Sequence, residues 1–394
     1  MACAFDIKAF HRTCPVLPDH KPWLVVSISN RFWIDHDYPF GTGSASSNSG
    51  QTGSAVVDIW SAEDTDITFK YEDDMSQFQF PFETGPFIDG LHHYRHDCES
   101  SLGLIAPLNV PWHPTKTGDR FIPVFIFIGF LWDLPLRQVS LPDLKRLKFL
   151  DRVVTLIMKS ENHEKVSLTD VQKIHGSLVH ICFIYLDGNS RLPCLSNFMS
   201  SFKENEFAKR YIPNSVIAVL HWWRIRLNNP LAFRPLHPLP ELRDLGIYVD
   251  ASTSWGIGII IKDRWYAFQL TNQWKAPGRD ICWLEAIALE LLVYFLAQLN
   301  FYDTHLLTFS DNNGAIGAHS KGRSPNNAIN LCVRRTYATS VAHLINLSFE
   351  YIESSVNPAD PISRGIISLH PAKRLIRAFD LPESLRGLII DYYG

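Results

Sequence analysis

The stretch DLGIYVDASTSWGIGIII (244–261) decides how the last third of the chain reads. Two runs rich in Ile, Val and Tyr flank a Ser-Thr-Ser-Trp turn, and such residues fit a pleated, half-buried surface. The pattern predicts two strands, followed by a third at RWYAFQL (264–270). DICWLEAIALELLVYFLAQL (280–299) reads as a helix and HLLTFSDN (305–312) as a fourth strand. NGAIGAHS (313–320) and NNAINLCVRRTYATSVAHLI (326–345) read as helices, and LSFEYIES (347–354) closes the sheet. This order predicts an α/β domain over 243–366 with a mixed five-stranded sheet. The tail 367–394 reads as a helix plus an irregular end.

Acids stand where these elements change character. Asp250 ends the first strand, Asp311 ends the fourth, Asp360 lies just beyond the last, and Glu285 comes early in the helix. Parallel strands of an α/β sheet present their C-terminal ends to one crevice. Asp250 and Asp311 share it if their strands are neighbours. Convergent carboxylates repel one another unless divalent cations neutralise them, and Mg²⁺ or Mn²⁺ suits hard oxygen ligands. Two such ions about 4 Å apart form the clamp used for phosphodiester cleavage. Taken singly, each acid reads as readily as an ordinary strand-end or helix-start residue. Glu290 rivals Glu285, but five residues put them about 140° apart on a helix, so only one faces the site. Proximity to the first turn favours Glu285.

Upstream, residues 1–139 read as short strands and turns. PWLVVSI and RFWIDHDYPF flank Ser-Asn-Arg as a hairpin, and FIFIGFLWDL with RQVSL forms another strand unit. GTGSASSNSGQTGSAV (41–56) is rich in Gly and Ser and predicts a flexible loop. KYEDDM (70–75) sits at a predicted hairpin turn, where the adjacent Asp73 and Asp74 suggest either a solvated turn or part of a metal site. HHYRHDC (92–98) offers metal-ligand types, yet no second ligand cluster of suitable spacing follows it. From residue 140 to 242 the period changes to about 3.6, predicting helices, the first of them amphipathic with a basic face.

The 394 residues carry a formal charge of −3, which argues against nucleic-acid binding by net charge alone but leaves room for local basic stripes. Seven scattered cysteines without a C-x-x-C pair, and no signal-peptide pattern, point to a reducing intracellular compartment, cytoplasm or nucleus. The run FIPVFIFIGFLW (121–132) is too short to span a membrane. The helix carrying Glu285 and Glu290 reads as a core helix, so no membrane partner is expected.

YVDASTSWGIG, CWLEAIALE, TFSDNNGAIGAHSKGRS and NPADPISRG resemble, in order, the blocks of a retroelement ribonuclease H domain. The resemblance implies cleavage of the RNA strand of RNA–DNA hybrids with two Mg²⁺ or Mn²⁺ ions held by Asp250, Glu285, Asp311 and Asp360. Ser363 and Arg364 fit the retroelement form. Cellular relatives often carry a catalytic histidine before the last acid. His319 and His343 are the nearby histidines, and both suit packing roles equally well.

FDIKAF, DYPFG and KYEDDM in turn resemble the palm of a retrotransposon reverse transcriptase, an RNA-directed DNA polymerase. That likeness implies metal ligands at Asp6, Asp73 and Asp74, with Phe40 and Gly41 also matching. PWHPTK (111–116) and FIFIGFLWDL resemble the end of the palm and the primer-gripping hairpin, and 140–242 a helical thumb and connection. The family's fingers precede the position of Asp6, so the resemblance implies an N-terminally truncated polyprotein fragment with a defective polymerase. The expected partners are an RNA–DNA hybrid and other proteins of the same element. The competing expectation is a decayed, non-enzymatic remnant that at most binds nucleic acid.

Overall fold

The computed structural model describes residues 1–39, 45–81, 94–203, 205–367, 373–374 and 379–392. The chain divides into two compact units, Met1–Pro142 with Phe233–Leu236, and Asp143–Ala232 with His237–Gly394.

In the first unit, strand Asp74–Phe78 lies between Ala2–Asp6 and Thr68–Tyr71, antiparallel to both. The KYEDDM turn is a two-residue connection in which Glu72 takes φ +54°, and the registry pairs Asp6 with Asp74. Phe5, Ile7, Val56, Trp60 and Met75 form the core over this sheet. The Gly/Ser-rich stretch departs from expectation. Residues 45–56, expected as loop, belong to the helix Ala45–Ala62. A Cβ on Gly53 would come within 3.0 Å of Lys70 Cδ and 3.2 Å of Met75 Cε. The small residues therefore let the helix lie close to the hairpin, and packing of Val56 and Trp60 overrides their weak helix propensity. Phe40 and Gly41 lie outside the described residues.

Val25–Ile28 and Arg31–Ile34 form the expected hairpin, with Ser29 and Asn30 at φ 52° and 58°, values that suit a tight two-residue turn. Val124–Phe127, Phe130–Asp133 and Gln138–Ser140 form a meander, joined by Phe233–Pro235.

The second unit begins with the expected helices, Asp143–Glu161, Leu168–Ile181, Leu192–Ser200 and Asn214–Asn228. It continues into a mixed sheet ordered Ile345–Tyr351, Thr304–Ser310, Leu242–Ala251, Gly256–Ile261, Arg264–Leu270. The first three run parallel, and the last three form an antiparallel meander. Helix Ile281–Gln298 crosses the sheet with Leu284, Ile287, Leu291, Leu292 and Phe295 buried in the main core. It is the one helix among the described residues long and apolar enough to cross a membrane, and most of it is buried within the protein.

The sheet has more than the five expected strands. Lys373–Arg374 and Ile389–Asp391 both pair with Arg264–Leu270, and Phe379 packs on Tyr266, Phe268 and Phe295. The tail expected beyond residue 366 thus covers a sheet edge that would otherwise expose unpaired backbone. Helical region and sheet share one body. Asn330 Nδ2 donates to Ser190 O at 2.7 Å, and Arg334 Nη2 to the same oxygen at 3.0 Å.

Candidate metal centre

Leu242–Ala251 and Thr304–Ser310 are adjacent and parallel, so Asp250 and Asp311 emerge side by side at their C-terminal ends. Helix Ile281–Gln298 is capped by Asp280, whose side chain accepts from Trp283 N at 3.0 Å, and its first turns bring Glu285 over the same point. One carboxylate oxygen each from Asp250, Glu285 and Asp311 lies within 4.8 Å of the others. Among the described residues this is the one group of three or more potential ligands so closely placed.

The scaffold holds these acids individually. Glu285 Oε1 accepts the Ala251 backbone N–H at 3.0 Å, while its Oε2 is buried without a partner. Ser363 Oγ donates to Asp250 Oδ2, and Asn357 Nδ2 donates to Val249 O at 3.1 Å, tying the NPAD segment to the first strand. Gly258, paired with Asp250, permits this approach, because a Cβ there would meet Ala359 O at 2.7 Å and Ser363 N at 2.9 Å.

Burial pushes Glu285 up to about 9, reinforced by the charges of Asp250 and Asp311. Burial likewise raises Asp250 to about 7; the Ser363 hydrogen bond opposes the rise and Asp311 adds to it. Both acids are 2% exposed. An acceptor-only group with a dry, unpartnered oxygen beside two other carboxylates fits a hard divalent cation. The donor set therefore suits one potential metal site.

Asp360 is not in that cluster. Arg364 grips its carboxylate from Nε at 2.9 Å and Nη2 at 2.8 Å, one helical turn on. Glu290 faces away from the centre, as the helical angle required. It is fully buried and accepts from Arg335 Nε at 2.5 Å and Nη2 at 2.7 Å. Arg335 carried no sequence signal beyond its place on the helix expected over 326–345. His319 shares hydrogen bonds with Ala315 O at 3.0 Å in its own helix and with Thr336 Oγ1 at 3.3 Å in the next, and burial holds it down to about 4; His343 bonds Thr339 O of its own helix at 3.1 Å, so both have packing partners.

In the first unit, Asp6 and Asp74 face each other across two strands, with Asp73 in the turn. Burial, then the charges of Asp73 and Asp6, push Asp74 up to about 6. Lys116 Nζ donates to Asp6 Oδ2 at 2.9 Å, so an ammonium already supplies positive charge to this group. Of the HHYRHDC stretch, residues 92 and 93 lie outside the described residues. His96 sets its ring edge-on to Phe121, and Cys98 Sγ lies 3.1 Å from Cys3 Sγ.

No protein-family model matches the chain, and no curated protein matches it. The chain is similar to solved structures of a foamy viral protease-reverse transcriptase. In the dRH form with double-stranded DNA, identity is 13% and TM-score 0.41 over 89% of this chain and 56% of the other. In the complex with RNA/DNA hybrid, the values are 11% and 0.31 over 92% and 66%. A further complex with double-stranded DNA gives 14% and 0.36 over 89% and 67%. The chain spans 56% to 67% of the length of these structures.

Proposed function

We propose that this chain is a divalent-metal-dependent nuclease that cleaves the RNA strand of RNA–DNA hybrids. The observation that carries the reading is the convergence of Asp250, Glu285 and Asp311 within 4.8 Å, with an unpartnered oxygen on Glu285. The substrate class comes from the resemblance of the four sequence blocks around those acids to retroelement ribonuclease H.

In this reading Asp250, Glu285 and Asp311 would hold Mg²⁺ or Mn²⁺, and Asp360 would join a second ion if Arg364 released part of its grip. Bound divalent ions supply activation of a water and neutralisation of the charge gathering on the scissile phosphate. The chain's own residues do the positioning. Ser363 fixes one oxygen of Asp250 and leaves the other for a cation. The Ala251 N–H does the same for Glu285. The apolar helix behind Glu285 keeps the rear of the site dry, which strengthens each charge interaction at the front. The first unit is read as a polymerase-like palm that does not extend primers, with Lys116 paired to Asp6.

A second reading has an observation of its own. Asp360 and Asp6 are both neutralised by basic residues of the chain, as expected of a remnant that binds nucleic acid without cutting it. One experiment separates the two. The purified chain, shown folded by circular dichroism, is given a labelled RNA–DNA hybrid with Mg²⁺ beside the Asp250→Asn and Asp311→Asn variants. Cleavage by the intact chain, lost in both variants, is expected. A folded chain that leaves the hybrid intact favours the remnant, and equal cleavage by both variants removes these acids from the site.

A further inference from the structure

Within the second unit, the two-residue strands Val166–Ser167 and Lys209–Arg210 pair antiparallel, Lys209 opposite Ser167 and Arg210 opposite Val166. The next residues outward are Lys165 and Tyr211, and Lys165 Nζ stands 5.1 Å from the centre of the Tyr211 ring. This ribbon forms one wall of a cleft of about 600 Å³, whose lining includes Lys165, Lys209, Arg210, Tyr211, Ser215 and Asn327. Its volume falls in the range of small-molecule sites.

Three features give the cleft a definite electrostatic character. Three cationic side chains line it, and no carboxylate is among its lining residues. Among the described residues, none of the three forms an ion pair. The Arg210 guanidinium lies over the Phe202 ring at 5.4 Å, and its Nε is buried without a partner. Helix Asn214–Asn228 also starts here, with Pro213 at its N-cap and no side-chain cap, so its first-turn N–H groups add positive potential. Lys165 and Lys209 are exposed, so the cleft presents positive charge to solvent in a chain whose net charge is −3, and attracts anions.

We propose that this cleft is a phosphate-binding site, with Arg210 and Lys209 as its principal donors and the Asn214–Asn228 helix start as a third. A planar guanidinium fork, a mobile ammonium and a helix N-terminus together match the several acceptor oxygens of a phosphate ester. Tyr211 and the apolar lining leave room for the organic part of that ester. The phosphate belongs either to a small phosphomonoester or to the backbone of a nucleic-acid strand. The site shares no residue with the Asp250 cluster and does not depend on the nuclease reading.

The test uses the full chain in EDTA, which leaves the acid cluster without metal. Inorganic phosphate and adenosine monophosphate are titrated by calorimetry, and a labelled RNA–DNA hybrid by anisotropy over a series of salt concentrations. Arg210→Gln and Lys209→Gln are compared with the parent. Lys209 is exposed, so its variant folds even if Arg210→Gln does not. Each substitution is expected to weaken binding about tenfold, the loss of one charge-assisted hydrogen bond. If the strand is the source, the slope of log affinity against log salt also falls by about one per variant. If a small ester is the source, phosphate and monophosphate binding weaken while hybrid binding stays put. Affinities for all three probes that are unchanged in the folded Lys209→Gln and Arg210→Gln chains overturn the proposal. Asp250→Asn is expected to bind phosphate normally, so loss of cleavage and loss of this site are separable.

Discussion

Glu290 and Arg335 form a two-point ion pair that joins helix Ile281–Gln298 to helix Asn327–His343, with the carboxylate wholly buried. Burial pushes Glu290 up, but the Arg335 hydrogen bonds and charge oppose that rise, so this acid is already satisfied. Removing the cation leaves a buried charge uncompensated, and Arg335→Met is expected to cost about 3 kcal/mol. Glu285→Gln replaces a buried carboxyl that must hold its proton up to about pH 9 in the metal-free protein, and should leave metal-free stability equal or higher. Thermal melts in EDTA check the pair of variants. The opposite order would exchange the roles of Glu285 and Glu290.

The metal-free protein should lose stability as pH rises. Glu285 at about 9 and Asp250 at about 7 both lie above their unfolded values near 4, so the folded state holds more protons across that window. Stability then falls with pH from about 4 to 9. A divalent cation needs both groups charged, so its stabilising effect should grow over the same window. Melting curves with Mg²⁺ and with EDTA at about pH 5 and about pH 8.5 measure the gap. The Asp250→Asn/Glu285→Gln double variant should abolish its growth.

Gly258→Ala tests the docking of the NPAD segment. The new Cβ would sit 2.7 Å from Ala359 O and 2.9 Å from Ile362 Cβ, so the segment must shift. Overpacking of this kind costs about 1–3 kcal/mol. Hydrogen exchange should show lost protection around residues 357–363 while the main core stays protected. Equal protection in variant and parent would mean the strand bends instead.

In the first unit, Asp74→Asn should stabilise and Lys116→Met should destabilise, each by about 1 kcal/mol, since Lys116 is largely exposed. Asp74 is raised because burial and two neighbouring acids disfavour its charge, and Asn removes that conflict. Trp60 and Trp112 stack within this unit's core, 6.2 Å between ring centres, and tryptophan fluorescence during denaturation reports the change. Primer extension with Mg²⁺ and deoxynucleotides is expected to be absent. Extension by the parent that Asp73→Asn abolishes would reverse that expectation.

What the sequence disclosed follows from the range of the forces involved. The five main strands were legible because alternation and β-branched runs are local signals, and strand-end acids placed Asp250 and Asp311 at one edge. Helix Ala45–Ala62 was not legible, since Gly53 answers to a close approach to Lys70 and Met75 rather than to propensity. The strands at 373–374 and 389–391 were missed because two- and three-residue edge segments have no period to read. Nor did the pattern disclose that Asp360 would be held by Arg364 outside the three-acid cluster. Spacing of four residues brings opposite charges together on any helix, and nothing local says which partner a carboxylate will take.

The Ser363–Asp250 hydrogen bond joins residues 113 positions apart. During synthesis Asp250 leaves the ribosome well before the hydroxyl that fixes it exists. At ordinary elongation rates the interval is roughly 6 to 23 s. Through that time the first strand's acid waits without its fastening, while Glu285 and Asp311 arrive in turn. The acid centre is thus assembled late, and a nascent chain carries no finished acid cluster until residue 363 has been added.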